Sequence, residues 1–230
     1  MTFFALQPSG IPQVPLSFYL LTLALIPILL YLTIRYYQNA SFRQFFLVLQ
    51  LTQLVTLYGW YILKGFPLNE ALPLYHCRMG MLAVFLLPNK TKAKQLFMLL
   101  GVGGPILALL SPDLYPYPMT HATNIAFYLA HYALMVNALI YLLIHYQPQM
   151  SSVKFNLTFL ASLNLSLILV NLLTKGNYGF VMNSPLIHSH NLIFNFTAVT
   201  LVLTLLAKLV ELAYQRYFMP DEILFPIGKG

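Results

Sequence analysis

The chain has 230 residues, 59% of them hydrophobic and 7% charged, and its twelve Lys and Arg against five Asp and Glu give a formal charge of +7. A soluble domain carries about 25% charged residues, so these are too few to clothe a water-facing surface. An ordinary cytosolic enzyme, a disordered chain and a nucleic-acid binder are excluded, and a polytopic membrane protein remains.

The N-terminal stretch MTFFALQPSGIPQVP lacks the basic region of a cleavable signal peptide, so the apolar run behind it reads as an uncleaved first span. Seven apolar segments follow one another at approximately 15–36, 43–63, 72–88, 94–111, 123–146, 154–174 and 190–214, each about 17–25 residues as a spanning helix requires. The third, LPLYHCRMGMLAVFLLP, is the shortest and most polar and lies between Pro73 and Pro88. Arg35 and Arg43 flank the first connection, Lys90, Lys92 and Lys94 fill the third, Lys154 follows the fifth span and Arg216 the last. Positive-inside counting then predicts an all-α bundle of seven transmembrane helices with the N-terminus outside and the C-terminus in the cytoplasm. One transmembrane domain is expected over 1–218, with a short cytoplasmic tail over 219–230. The opposite connections, 64–71, 111–122 and 175–189, are rich in Pro, Gly, Tyr and Asn and suit the capping of a cavity. No internal repeat is visible, which speaks against an inverted-repeat transporter.

Polar side chains inside hydrocarbon are functional candidates by default. Along helices rising about 1.5 Å per residue, Cys77 and Arg78 fall roughly 6–8 Å inside the third span, His131 roughly 10 Å, Asn171 roughly 6 Å and Asn195 roughly 8 Å inside theirs. These groups are expected to share one slab open to the outer leaflet, with Trp60 near its rim. Cys77 is the single cysteine, so an internal disulfide and a cysteine-rich zinc site are impossible. It is either an apolar filler or a thiol activated by the first turn of a helix and by Arg78. His131 is either an interhelical hydrogen-bonding group or the base of a Cys–His pair that attacks an ester through an acyl-thioester. Arg78, Asn195 or Asn171 would then position the substrate or stabilise the oxyanion. His76, about 100° round the helix from Cys77, is expected to face elsewhere. His121, His188 and His190 read as solvated loop residues and not as metal ligands. The GVGGP run at Gly101–Pro105 is not a phosphate loop; close helix packing or a kink at Pro105 explains it better.

Four stretches occur in a characteristic order: LPLYHCRMG opening the third span, LLSPDL ending the fourth, LAHYALMV in the fifth and NLLTKGNYGFVMNSP closing the sixth. Together they make the chain similar to the transmembrane protein 164-like family of seven-span proteins. The resemblance implies an acyltransferase that moves a fatty acyl chain onto a lysophospholipid through a cysteine nucleophile, with membrane lipids as substrates and no cofactor. It maps the nucleophile onto Cys77, the fifth-span histidine onto His131, the Gly-Asn-Tyr loop onto Gly176, Asn177 and Tyr178, and the Pro-Asp pair onto Pro112 and Asp113. Asp113, Asn177 and Tyr178 are thus expected at substrate-binding loops, and a bacterial plasma membrane is the expected location. Bacterial members read Leu-Pro-Leu-His-Leu-Cys where this chain has Tyr75 and His76 ahead of Cys77. The competing class is a seven-span transporter or receptor-like module binding a small polar ligand in the same slab.

Overall fold

A computed structural model describes residues 3–183 and 189–219. Within them the chain forms α1 (Leu16–Tyr36), α2 (Ala40–Leu63), α3 (His76–Leu86), α4 (Lys92–Leu110), α5 (Ala122–His145), α6 (Val153–Thr174) and α7 (Leu192–Phe218), with no strand among the described residues. Six of these helices are long and apolar enough to cross a bilayer. The expected tail over 219–230 lies almost wholly outside the described residues.

The third segment departs from expectation. Instead of a span over 72–88, only 11 residues are helical, about 16 Å of rise against a hydrocarbon core of about 30 Å. The approach to the helix is held in a different path by a distant side chain: the Tyr178 hydroxyl donates to the Leu68 carbonyl at 2.7 Å and accepts from the Leu72 amide at 3.0 Å. With those groups committed and Pro73 lacking an N–H, the helical ladder starts only at His76. At its other end the buried Lys94 ammonium donates to the Val84 and Leu87 carbonyls at 3.0 and 2.7 Å. A cation that the sequence placed on a solvated connection thus caps the C-terminus of α3, where the helix dipole favours it.

Helix α5 is the axis of the bundle, packed on α1, α2, α3 and α4, while α4 also meets α7 and α6 lies against α7. Small residues set these distances. A Cβ on Gly101 would stand 2.9 Å from Ala138 Cβ on α5, and one on Gly103 would stand 2.8 and 2.9 Å from Leu206 Cδ1 and Val210 Cγ2 on α7. One on Gly104 would stand 3.5 Å from Cys77 Sγ on α3. The glycine run therefore meets three neighbouring helices, the close-packing explanation of the sequence. Ala138 Cβ is fixed to its backbone and cannot swing away, whereas the leucine and valine tips can. Gly101→Ala is expected to destabilise the bundle by about 1–3 kcal/mol and Gly104→Ala by little, measured as unfolding midpoints in detergent.

Segment 3–9 laces the connections at one end of the bundle. The Ala122 amide donates to the Phe3 carbonyl and the Ser9 amide to the Pro116 carbonyl, each at 2.9 Å. The Trp60 indole and the His121 Nε2 both donate to the Ala5 carbonyl at 3.0 Å. His121, expected to be solvated, is fully buried and stacks on Tyr117 at 4.1 Å. Burial holds its imidazole below the ordinary histidine value, and Lys64 adds to the shift against the hydrogen bond to Ala5. A histidine held neutral contributes stability above its unfolded value of about 6.5 and loses it as pH falls below. Below about pH 6, emission from Trp60, the single tryptophan, should report loosening of this clasp, and His121→Gln should remove that pH dependence.

Candidate functional site

The site is built on the start of α3. Side chains of Asn39, Thr91, His121, Ser152 and Asn191 cap α2, α4, α5, α6 and α7. The start of α1 has no such cap, and Leu16 there is exposed. The start of α3 also has none, because Tyr75 offers no cap, and the first ladder bond runs from the Met79 amide to the Tyr75 carbonyl. The amides of His76, Cys77 and Arg78 consequently have no hydrogen-bond acceptor among the described residues. Unpaired amides at a helix start, reinforced by the helix dipole, bind negative charge.

Cys77 is the second residue of this turn. Its thiol makes no hydrogen bond among the described residues and lines a cavity of about 30 Å³ walled by α3, α4, α5 and α7, including Gly80, Gly101, Gly104 and Leu134. The volume suffices for one water-sized group. Cys77 also packs against a buried cluster of Leu54 on α2, Met81 on its own helix, and Ala130 and Leu134 on α5. It therefore faces the interior of the bundle and not bulk lipid.

Arg78 turns the other way, toward the connections. Its Nη1 donates to the Glu70 carbonyl at 2.9 Å, and its Nη2 to the Tyr61 and Tyr115 hydroxyls at 2.9 and 2.6 Å. The Tyr61 and Tyr115 hydroxyls share a further hydrogen bond. The guanidinium carbon lies 4.8 Å from the Tyr75 ring centre and 5.3 Å from that of Tyr61, within cation–π range.

The two candidate imidazoles stand in different relations to the thiol. His131 lies on α5 between Ala130 and Leu134, two members of the cluster against which Cys77 packs. Its Nδ1 donates to the Phe127 carbonyl at 2.7 Å, which fixes the tautomer and leaves Nε2 as an acceptor. No hydrogen bond joins His131 to Cys77 among the described residues. His76 does not face elsewhere as expected but lines the same cavity as Cys77. Its Nε2 meets Asn164 Oδ1 at 2.9 Å, and Asn164 Nδ2 donates to Thr200 Oγ1 at 2.9 Å. Since Asn164 presents its oxygen, His76 Nε2 carries the proton and Nδ1 is unprotonated. This chain ties α3 to α6 and α7, a packing role that adjacency in sequence could not reveal.

The other expected positioning groups serve backbone. Asn171 and Tyr178 exchange two bonds, Nδ2 to the Tyr178 carbonyl at 2.9 Å and the Tyr178 amide to Oδ1 at 2.7 Å. Asn195 donates to the Met182 and Ser189 carbonyls at 3.1 and 2.8 Å. Asn177 accepts from the Met182 and Asn183 amides and donates to the Asn183 carbonyl. Gly176 is required beside them, because a Cβ there would stand 2.7 Å from the Asn69 carbonyl oxygen. The Gly-Asn-Tyr motif thus staples the end of α6 to the segment that feeds α3. Asp113 is exposed on its loop. Among the described residues no three of His, Cys, Asp and Glu converge to hold a metal ion; His190 is exposed, and His188 lies outside the described residues.

The ordered motifs extend over most of the chain, and residues 9–212 match the TMEM164 family. The chain belongs to the TMEM164 family. No curated protein and no solved structure matches it. For this family member the sequence singled out Cys77, Arg78 and His131 but missed Tyr61, Tyr115 and the Asn164–Thr200 pair. The tyrosines were legible only as membrane-interface aromatics, and Asn164 only as an isolated polar residue.

Proposed function

We propose that this TMEM164-family member is a membrane acyltransferase that moves fatty acyl groups between phospholipids and lysophospholipids through a Cys77 acyl-enzyme. The observation that carries the reading is a thiol on the second residue of an uncapped helix start, lining a cavity inside the bundle on the same turn as three amides unpaired among the described residues. The family resemblance supports the substrate class. In the first half-reaction the Cys77 proton passes to the unprotonated Nε2 of His131 and the thiolate attacks the ester carbonyl of a phospholipid. The oxyanion draws on the amides at the start of α3. The ester C–O bond breaks, the departing lysophospholipid oxygen takes the proton from His131, and a thioester remains. In the second half-reaction the hydroxyl of another lysophospholipid gives its proton to His131 and attacks the thioester. The new ester forms and the thiol is restored. Catalytic contacts are commonly loose before substrate is bound, and closure would bring the two groups into contact.

A cavity of about 30 Å³ accepts a carbonyl and not the chain behind it, so the acyl chain enters as α3 parts from its neighbours. A second reading gives the base role to His76, on the single observation that it shares the thiol's cavity. His131→Ala is expected to lower transfer by about a hundredfold to ten-thousandfold, whereas His76→Gln should mainly lower stability. The reverse ranking would establish His76 as the base. The acyl-enzyme itself is tested by intact-mass measurement after mixing with phospholipid: one acyl chain should be added at Cys77 and removed by neutral hydroxylamine. A chain that never acquires this adduct under turnover conditions contradicts the reading. In the proposed arrangement the basic connections lie on the cytoplasmic side, as the positive-inside rule favours, so that the thiol side would meet the outer leaflet of a bacterial plasma membrane.

A further inference from the structure

Arg78 is a cation in the interior with no anion to answer it. It is 9% exposed, and no carboxylate lies within ion-pairing distance among the described residues. Glu70, whose backbone carbonyl Arg78 contacts, commits its carboxylate to Lys64 at 2.7 Å, and Glu211 pairs with Lys208 at 2.9 Å. Every hydrogen-bond acceptor that Arg78 meets among the described residues is neutral: one carbonyl and two phenols. A buried charge paired only with neutral groups keeps much of its desolvation cost, which a bound anion would offset.

The donors left over describe that anion. Both Nη2 hydrogens and one on Nη1 are engaged, while the Nε–H makes no hydrogen bond among the described residues. Tyr61 and Tyr115 each carry one phenolic hydrogen, and the bond between them uses one of the two. The cluster therefore offers Nε–H, a second Nη1–H and one phenolic O–H around a net positive charge. This is a donor set for a multi-oxygen anion, and a guanidinium fork suits phosphate. The cluster is held by the connecting segments at Glu70 and Tyr115, whereas the neighbouring Cys77 thiol points inward to Gly104 and Leu134. A phospholipid has the same order, with its phosphate toward the headgroup layer and its ester carbonyls toward the chains.

We propose that Arg78, with Tyr61 and Tyr115, binds the phosphate of a membrane phospholipid and so sets the ester beside Cys77. The choice of lipid rests on the acyl-transfer reading; the binding of an anion does not. Purified full-length Cys77→Ala protein in an uncharged maltoside detergent is titrated with dioleoyl phosphatidylglycerol, dioleoylglycerol, oleate and inorganic phosphate, followed by native mass spectrometry and thermal shift. The phospholipid should bind at least about tenfold more tightly than dioleoylglycerol. Arg78→Gln should lose about tenfold or more of that affinity, and Arg78→Lys should fall between. The ligand panel needs no change at Arg78, so a poorly folding variant leaves the test intact. Equal binding of dioleoylglycerol, tighter binding of oleate or inorganic phosphate, or undiminished binding by folded Arg78→Gln would each overturn the proposal. Phosphate-dependent binding in a protein that never transfers acyl groups would keep the anion site and remove the enzyme reading. Transfer that is indifferent to Arg78 would do the reverse.

Discussion

Cys77→Ala is expected to lower acyl transfer by about a thousandfold or more while the protein inserts and folds as before. The thiol makes no hydrogen bond among the described residues, so its removal breaks no polar network. It enlarges a cavity of about 30 Å³ by a single atom, for which about 1 kcal/mol is a fair upper cost. The chain has no other cysteine to substitute for it. The measurement is transfer of a labelled acyl chain from phospholipid to lysophospholipid in vesicles, beside the unfolding midpoint of the same preparation. Full lipid turnover by Cys77→Ala would end the nucleophile assignment and return the slab to the ligand-binding alternative. Cys77→Ser is the less clean variant, because it sets a hydroxyl against a mostly apolar wall, where an unpaired polar group costs about 1–3 kcal/mol.

Tyr178→Phe is expected to destabilise the protein by about 1–3 kcal/mol and to lower activity, although Tyr178 has no contact with the cavity at Cys77. The ring stays, keeping its edge contact with Tyr75 at 5.3 Å. The lost hydroxyl strands two part-buried backbone groups at once, the Leu68 carbonyl and the Leu72 amide, and a stranded group carries a desolvation cost to the extent that water cannot reach it. Freed from that tether, segment 68–75 no longer sets where α3 begins, and the unpaired amides move with it. Hydrogen exchange at Leu72 and over 76–79, read beside the transfer rate, tests this. Protection unchanged in Tyr178→Phe would show that the start of α3 is fixed by its own sequence.

The two results probe different kinds of information. Cys77 could be singled out in the sequence because a solitary thiol next to an arginine, soon after a proline, is a local pattern. The glycine run was legible for the same reason: Gly101, Gly103 and Gly104 announce close approach wherever they fall on an apolar helix, and the structure supplies the neighbours. Tyr178 and Asn171 were legible as members of motifs, but their work was not. A tyrosine hydroxyl that bridges Leu68 and Leu72 acts across more than a hundred residues of chain, and no periodicity encodes it. His76 shows the converse limit. Helical rotation turned it away from Cys77, yet the cavity is bounded from several sides and takes in both.

Hydropathy, charge placement and segment length determined by themselves that this chain is a helical membrane protein with most of its cations at one set of connections, because the bilayer imposes length and polarity residue by residue. Tertiary structure alone decided that α3 starts at His76 and that, among the described residues, its first amides stay unpaired and Arg78 faces two phenols and no carboxylate. Those outcomes depend on which distant groups reach the same place, and backbone and buried charge must find partners in space, wherever the chain supplies them.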